Sequence, residues 1–379
     1  MKNYIYIVPI KNFFSNTPGG RVTHALGIVN GLSNNNCNVL IISESGIDRF
    51  RERINSKIKV KTLSKSFFFL SALKESVCSL RQKNTNILIR KSPVFLLFLI
   101  PFLIFKRKSN HITIEVNGFG FDVRRIIFKR PIVFLSQVLT RIILFPFSSV
   151  YAVNTFLKRK MTSGFFSISS KRVFVVNNAG PNPTKIDWKN KKNNLSIIFY
   201  GIFHQGNDLE LISKSVETLN QKENTNIVFE IYGFGYQEDE VVNLSKKYKS
   251  TILYGKADPK EFVQIMKKNK NKCIGVIPLH GAYGVGEYYP IKAFEYMSFG
   301  MPILYSNMSM DGLLKDEKDG KMYIDGNLES CINSLAWFNQ NISRYDIFSE
   351  NIIDIYKNHT WESAMKKYCN EIKNLINND

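Results

Sequence analysis

Two carboxylates, Glu287 and Glu295, stand eight positions apart with Pro290 and Lys292 between them. Proline suits the first turn of a helix, because its missing N–H would go unpaired there anyway. The sequence therefore predicts a helix opening at Pro290, with Lys292 and Glu295 sharing one face. A helix start carries free N–H groups and partial positive charge, and with a lysine beside it it attracts phosphate. A carboxylate one turn further on can accept two hydrogen bonds from a ribose diol. Glu287 precedes the helix in a loop containing Gly281, Gly284 and Gly286. The pattern suits a nucleoside diphosphate lying across the helix start, with Glu287 reaching toward the group it carries. An ordinary helix start with a solvated Lys–Glu pair would use the same residues.

The elements that must position these groups alternate. A short apolar run at 4–9 leads through a loop into 21–34, where Val22, Ala25, Leu26, Val29 and Leu32 recur at helical spacing. Strands follow at 38–43, 86–90 and 111–116, an apolar helix at 124–145, and strands at 150–153 and 172–176. Pro181, Pro183 and a Lys-rich stretch at 185–192 make a linker. The pattern then restarts: strands at 195–200, 226–232, 251–254 and 273–278 alternate with helices at 208–220, 237–246 and 258–268. Helices near 326–338, 346–356 and 361–376 close the chain. Such alternation predicts an α/β protein with two Rossmann-like domains, 1–188 and 189–379, facing across a cleft. Ligands then belong at the carboxyl ends of both sheets.

Charge is divided unevenly. Residues 1–188 hold 29 Lys/Arg against 7 Asp/Glu, whereas 189–379 hold 23 against 24. An imbalance of this kind concerns partners, not fold. Basic clusters at 49–53, 106–108, 124–125, 129–130 and 158–160 alternate with bulky apolar runs at 67–70, 93–105 and 126–145. That is the composition of a surface meeting anionic lipid; a buried helix of the sheet's covering layer would equally account for 93–105. The run is too short to span a bilayer. No recognised nucleic-acid motif accompanies the charge, so no nucleic-acid partner is expected. The five scattered cysteines form no metal spacing and read as reduced thiols. The N-terminal apolar run, with no cleavage site after it, is expected to be a first strand.

Pro290, Lys292, Glu295, Tyr296 and Met297, followed by Gly300, Pro302 and Ile303, resemble the E-x7-E signature of retaining glycosyltransferases of the GT-B fold, family 4 type. The resemblance extends to Gly19 and Gly20, the strand end at 115–120, Gly201, Gly233 and the Thr360–Trp361–Glu362 segment. It implies a GT-B architecture with an N-terminal acceptor domain, which the division of charge makes basic and, as read above, membrane-facing. The C-terminal domain would bind the nucleotide sugar, its terminal helices able to pack back on the first. It implies Glu287 at the transferring sugar, Lys292 at the diphosphate, Glu295 at the ribose and Gly20 as a backbone donor. Gly201 and Gln205 would flank the phosphates, Tyr232 and Gly233 the base, with Tyr289 also in the donor set. Asn117 stands where the family often has a histidine, so Asn117 and Glu115 are the catalytic candidates of the first domain. Gln205 stands where the family places a lysine.

The implied reaction is metal-independent transfer from a nucleotide-sugar substrate, with no cofactor, and with retention of configuration. The implied acceptor is a polyprenyl-diphosphate-linked or other glycan, in bacterial surface polysaccharide synthesis. The expected location is cytoplasmic, peripheral to the inner face of the cell membrane and in contact with its anionic surface. Two other readings stay open: a nucleotide-sugar 2-epimerase of the same fold, and a catalytically degenerate GT-B scaffold or binding subunit.

Overall fold

A computed structural model describes the backbone at residues 2–14, 19–118, 129–281 and 289–378, and side chains there except at 129–133 and 378. The chain divides into two compact units, Met1–Asn178 with Trp361–Asp379, and Ala179–Thr360.

The first unit runs β1 (Asn3–Ile7), α1 (Gly20–Asn34), β2 (Asn38–Glu44), β3 (Lys59–Leu63), α2 (Phe68–Leu80), β4 (Thr85–Arg90) and α3 (Pro93–Leu99). It continues with β5 (His111–Val116), α4 (Lys129–Leu144), β6 (Ser149–Ala152), α5 (Thr155–Thr162) and β7 (Val173–Val175). Its seven strands are parallel, in the order β3-β2-β1-β4-β5-β6-β7. Strands β4 and β5 are buried along their whole length, as a parallel sheet covered on both faces requires. Strand β3 lies at the sheet edge with mostly exposed residues. It therefore lacks the apolar run that marks the central strands. The apolar stretch 93–105 divides at Pro101: α3 ends, and a 3-10 turn covers Ile100–Phe105. Phe95, Leu96 and Leu99 turn inward, but Leu97, Phe98 and Ile104 stay exposed.

The second unit contains β8 (Lys192–Phe203), α6 (Leu209–Glu223), β9 (Val228–Gly235), α7 (Glu238–Lys247), β10 (Thr251–Gly255), α8 (Pro259–Lys268) and β11 (Asn271–Ile277). After these come α9 (Ile291–Ser298), β12 (Ile303–Ser306), β13 (Gly320–Tyr323), α10 (Leu328–Gln340) and α11 (Tyr345–Tyr356). Six parallel strands take the order β10-β9-β8-β11-β12-β13. Helix α9 is seated on β11 through a glycine. A Cβ at Gly275 would lie 2.2 Å from the Tyr296 ring, so only glycine lets the helix approach this closely. The buried Tyr296 hydroxyl accepts the Tyr200 N–H at 2.8 Å, which pins α9 to β8 as well.

The last helix, α12 (Trp361–Asn378), returns to the first unit. A Cβ at Gly27 would collide with the Trp361 indole at 2.1 Å, and one at Gly31 would meet the Trp361 carbonyl at 2.3 Å. Two glycines one turn apart on α1 thus make the groove that receives α12. Tyr368 then packs against Tyr4, Tyr151 and Phe174, with ring centroids 5.8–6.1 Å apart.

Glu115 sits fully buried at the end of β5. Arg90 Nη1 donates to its Oε1 at 2.8 Å and Tyr6 Oη to its Oε2 at 2.5 Å. His24 Nε2 lies 3.0 Å from Oε1, while His24 Nδ1 meets Asn178 Oδ1 at 2.9 Å and the ring stands edge-on to Trp361. One carboxylate therefore ties β1, β4, β5 and α1 together, and through His24 it reaches α12. Burial alone would raise the Glu115 pKa; Arg90 and then His24 overcome that and hold it down at about 2. This stabilisation is full above the ordinary carboxylate value of about 4 and fades as pH falls toward 2. Replacing Arg90 by Leu leaves the buried charge without its strongest partner, at a cost of about 3–5 kcal/mol. Thermal unfolding should show the variant well below the parent at pH 7, with the gap narrowing toward pH 3. A gap independent of pH would mean that Arg90 acts through packing alone.

Candidate functional site

In the second unit Lys292 and Gly201, two of the residues expected at a phosphate, lie against each other at the start of α9 and the end of β8. The helix opens one residue later than expected. Pro290 is extended (φ −70°, ψ 147°) and forms the cap before Ile291, its carbonyl accepting the Ala293 N–H at 3.0 Å. No side chain caps this helix start. Lys292 Nζ lies 4.0 Å from the centroid of the Phe199 ring and 3.3 Å from Asn207 Oδ1. Gly201, at the end of the same strand as Phe199, adopts φ +150°, and a Cβ there would sit 3.4 Å from Lys292 Cε. Glycine thus supplies both a backbone angle other residues avoid and the open space beside the lysine. Burial pushes the Lys292 ammonium down to about 7, with Glu295 opposing the shift. Glu295 is half-buried on the same helix, three residues on.

The loop after β8 places its residues in different surroundings. Gln205 is exposed and lines a cavity of about 530 Å³ together with Asp208, Glu240, Lys247 and His280. His204 Nδ1 accepts the Gly206 N–H at 3.0 Å, which shapes the turn. Asn207, which the sequence reading passed over, is the loop side chain that meets Lys292. It also donates to the Ile202 carbonyl at 3.1 Å. No local pattern distinguishes it from the neighbouring polar residues; only the fold of the loop does.

Tyr232 is buried, stacks on Tyr254 with centroids 4.8 Å apart, and donates to Glu230 Oε2 at 2.6 Å. The two rings, with Lys256 and Lys268, line a cavity of about 750 Å³ beside α8. Gly233 has no room for a side chain, since a Cβ would lie 2.1 Å from the Gly201 carbonyl oxygen. Position 233 must therefore be glycine because the backbone of the neighbouring strand end lies against it. Tyr289 Oη donates to the Asp311 carbonyl at 2.6 Å. His280 Nδ1 lies 2.8 Å from Asp325 Oδ1, and that bond raises the histidine's pKa. Glu287, Gly284 and Gly286 lie outside the described residues.

In the first unit Gly20 opens α1, whose cap Gly19 is extended. No side chain caps the helix start, and Val22 N–H returns to the Gly19 carbonyl at 2.9 Å. Asn117 follows β5 and donates to Glu115 Oε1. Both oxygens of Glu115 are thus engaged within the unit. Lys91, at the adjoining end of β4, donates to the Gly118 carbonyl, and burial pushes its ammonium down to about 8. The sequence reading missed it. Its signal is its position directly after Arg90, at the carboxyl edge of a buried strand. Gly120 lies outside the described residues.

Residues 183–354 match the family model described as Glycosyl transferases group 1. No curated protein sequence matches the chain. Among solved structures, an S. aureus TarM variant in complex with fondaparinux, alpha-GlcNAc-glycerol and UDP is similar with a TM-score of 0.70 at 9% identity. That match covers 98% of this chain and 99% of the other. Anabaena Alr3699/HepE in complex with UDP and glucose gives a TM-score of 0.70 at 10% identity, covering 99% and 100%. The lipopolysaccharide outer core galactosyltransferase WaaB in its apo form gives 0.65 at 14% identity, covering 98% and 99%. The shared architecture is GT-B, and together with the matched family segment it supports a glycosyltransferase of that fold.

Proposed function

We propose that this protein moves a sugar, with retention of configuration and without a metal, from a nucleotide-sugar donor to a lipid-linked or other glycan acceptor. The observation that carries the reading is Lys292, held over Phe199 and against Asn207 beside the uncapped start of α9. A lysine half-sequestered from water, beside a helix start that no side chain caps, suits a group with two or more negative oxygens. A nucleoside diphosphate is such a group. It is also what departs when a nucleotide sugar reacts, and the TarM and Alr3699/HepE complexes contain UDP.

In this reading Lys292 and the α9 start bind the diphosphate and take up charge as the leaving group departs. Glu295 holds the ribose hydroxyls. The strand-end glycines, Gly201 and Gly233, keep backbone close to the donor, with Tyr232 and Tyr289 on its flanks and Gln205 in the adjoining loop. Glu287 faces the transferring sugar and stabilises positive charge developing at its anomeric carbon. Gly20 offers backbone N–H groups in the first unit, at the start of α1. The setting we propose is bacterial surface polysaccharide synthesis at the cytoplasmic face of the membrane, with the basic first unit against anionic lipid.

Binding of a diphosphate should return the Lys292 pKa from about 7 toward its ordinary value. The free site then takes up a proton on binding at pH 8, and affinity falls as pH rises above about 7. Calorimetry of UDP in buffers of different ionisation enthalpy reads that proton directly. Lys292→Met should weaken UDP and flatten the pH dependence while leaving uridine almost unchanged. Equal weakening of both would remove the lysine from the phosphates. Glu295→Ala should instead weaken UDP and uridine alike, by about 2–4 kcal/mol if both ribose bonds are made.

Glu287→Gln keeps shape and removes charge. Turnover should drop by roughly 10²-fold, a barrier increase of about 3 kcal/mol, with UDP affinity almost intact. The anomeric coupling of the product, measured by NMR, should match that of the donor. An inverted product would overturn the retaining assignment, and full turnover in the variant would take Glu287 out of the chemistry.

A further inference from the structure

The first unit carries more exposed aromatic and aliphatic surface than its sheet requires. Helix α3 is apolar on both faces: Phe95, Leu96 and Leu99 pack inward while Leu97 and Phe98 face solvent. A helix that is hydrophobic all round in a water-soluble setting has an unmet partner on its outer face. The same outward character continues through neighbouring elements. Phe69 of α2 packs edge-on against Phe95 and Phe98, with centroids 5.8 and 5.2 Å away. Ile104, in the turn that follows α3, is 81% exposed. Helix α3 also packs on α4, which leaves Phe134 and Leu135 exposed. Scattered single apolar residues would need no explanation; a contiguous ridge across α2, α3 and α4 does.

The ridge is bordered by cations that touch its aromatic rings. The Arg81 guanidinium lies 4.7 Å from the Phe105 ring centroid, and that of Arg172 lies 5.6 Å from Phe145. Lys106, Arg107 and Lys108 follow Phe105 directly. From 65 to 172 the sequence holds nineteen Lys/Arg and three Asp/Glu. Two of the three acids are among the described residues, and neither offers free negative charge at the surface: Glu75 pairs with Lys61 at 2.5 Å, and Glu115 is the buried centre already described. An apolar ridge with a one-signed cationic border matches a partner that is apolar inside and anionic at its boundary. That is a lipid leaflet.

We propose that the ridge formed by α2, α3, the 100–105 turn and α4 inserts into one leaflet of an anionic bilayer, with the bordering Arg and Lys side chains at headgroup level. The proposal rests on the membrane part of the function proposed above and specifies the face that docks. Among the described residues no helix is long and apolar enough to cross a membrane, so the docking is interfacial.

The test uses the full chain with vesicles of phosphatidylglycerol or of phosphatidylcholine. Parent protein should partition to the first and not the second at low salt, and salt should release it in part. A variant with Leu97→Gln, Phe98→Gln, Ile104→Gln and Phe134→Gln should bind anionic vesicles about tenfold more weakly or worse, with UDP binding unchanged. A second readout needs only one substitution. Indole fluorescence from Ile104→Trp should be quenched by lipids brominated along the acyl chains. Tyr236→Trp, at a fully exposed position of the second unit, should not be. Vesicle binding by the parent with an unquenched Ile104→Trp indole would overturn this face while sparing the membrane reading. No binding of the parent to either vesicle would overturn both, yet leave nucleotide binding and the transferase reading standing. A dimer that the four substitutions dissolve, without vesicle binding, would assign the ridge to a second copy of the chain instead.

Discussion

The second unit depends on how closely α9 can approach its sheet. That distance is set by the absence of a side chain at Gly275, where the Tyr296 ring lies. The Tyr296 hydroxyl then takes the one N–H of β8 that it can reach. A buried ring and a satisfied buried donor reinforce each other, since moving either would open a void or strand a polar group. With α9 fixed, the position of Lys292 follows. The ammonium has Phe199 beneath it, Asn207 beside it and Gly201 leaving space around it. Its depressed pKa is a consequence of that seat. A flexible lysine on a solvated helix would show nothing of the kind.

The first unit has a different centre. Glu115 is a buried charge surrounded by an arginine, a tyrosine and a histidine that come from separate elements. Such an arrangement adds little net stability over an apolar core, but breaking it is costly. Its partners come from β1, β4 and α1 around a residue of β5, so shifting any of these strands would separate the carboxylate from them. His24 extends the selection to α1 and, through Trp361, to the terminal helix. The glycine pair on α1 gives that helix its groove. These contacts explain why the last residues of the chain belong with the first.

The two units also differ in what they leave outside. Helices of the second unit are amphipathic with balanced charge, and its α8 carries a complete capping box at Asp258 and Glu261. Helices α2, α3 and α4 of the first unit bury some apolar side chains and leave others exposed, with lysine and arginine nearby. Both units build the same kind of parallel sheet, so the contrast does not come from folding requirements.

Periodicity and composition alone determined the alternating α/β order, two sheets, most central strands and the charge imbalance. The spacing of Pro290, Lys292 and Glu295 located the helix start that carries the candidate site, one residue from where it opens. These properties are local: a buried parallel strand must be an apolar run, and a helix face must repeat every three to four residues. Strands β3 and β13 escaped because edge strands carry no such run; the buried four-residue β12 carries one, Ile303–Leu304–Tyr305, and was passed over directly after the Pro302 turn. Long-range contact decided the rest. Asn207 meets Lys292 across 85 residues, and Tyr6 meets Glu115 across 109. Neither pairing leaves a trace in the neighbouring sequence. Gly275 and Gly27 looked like any other glycines until an aromatic ring was found where each side chain would have been. The 93–105 run read equally well as buried helix or as lipid-facing surface. Its composition could not choose, because the same apolar residues serve both; only the packing of α3, with one face inward and one outward, shows which atoms the core leaves uncovered.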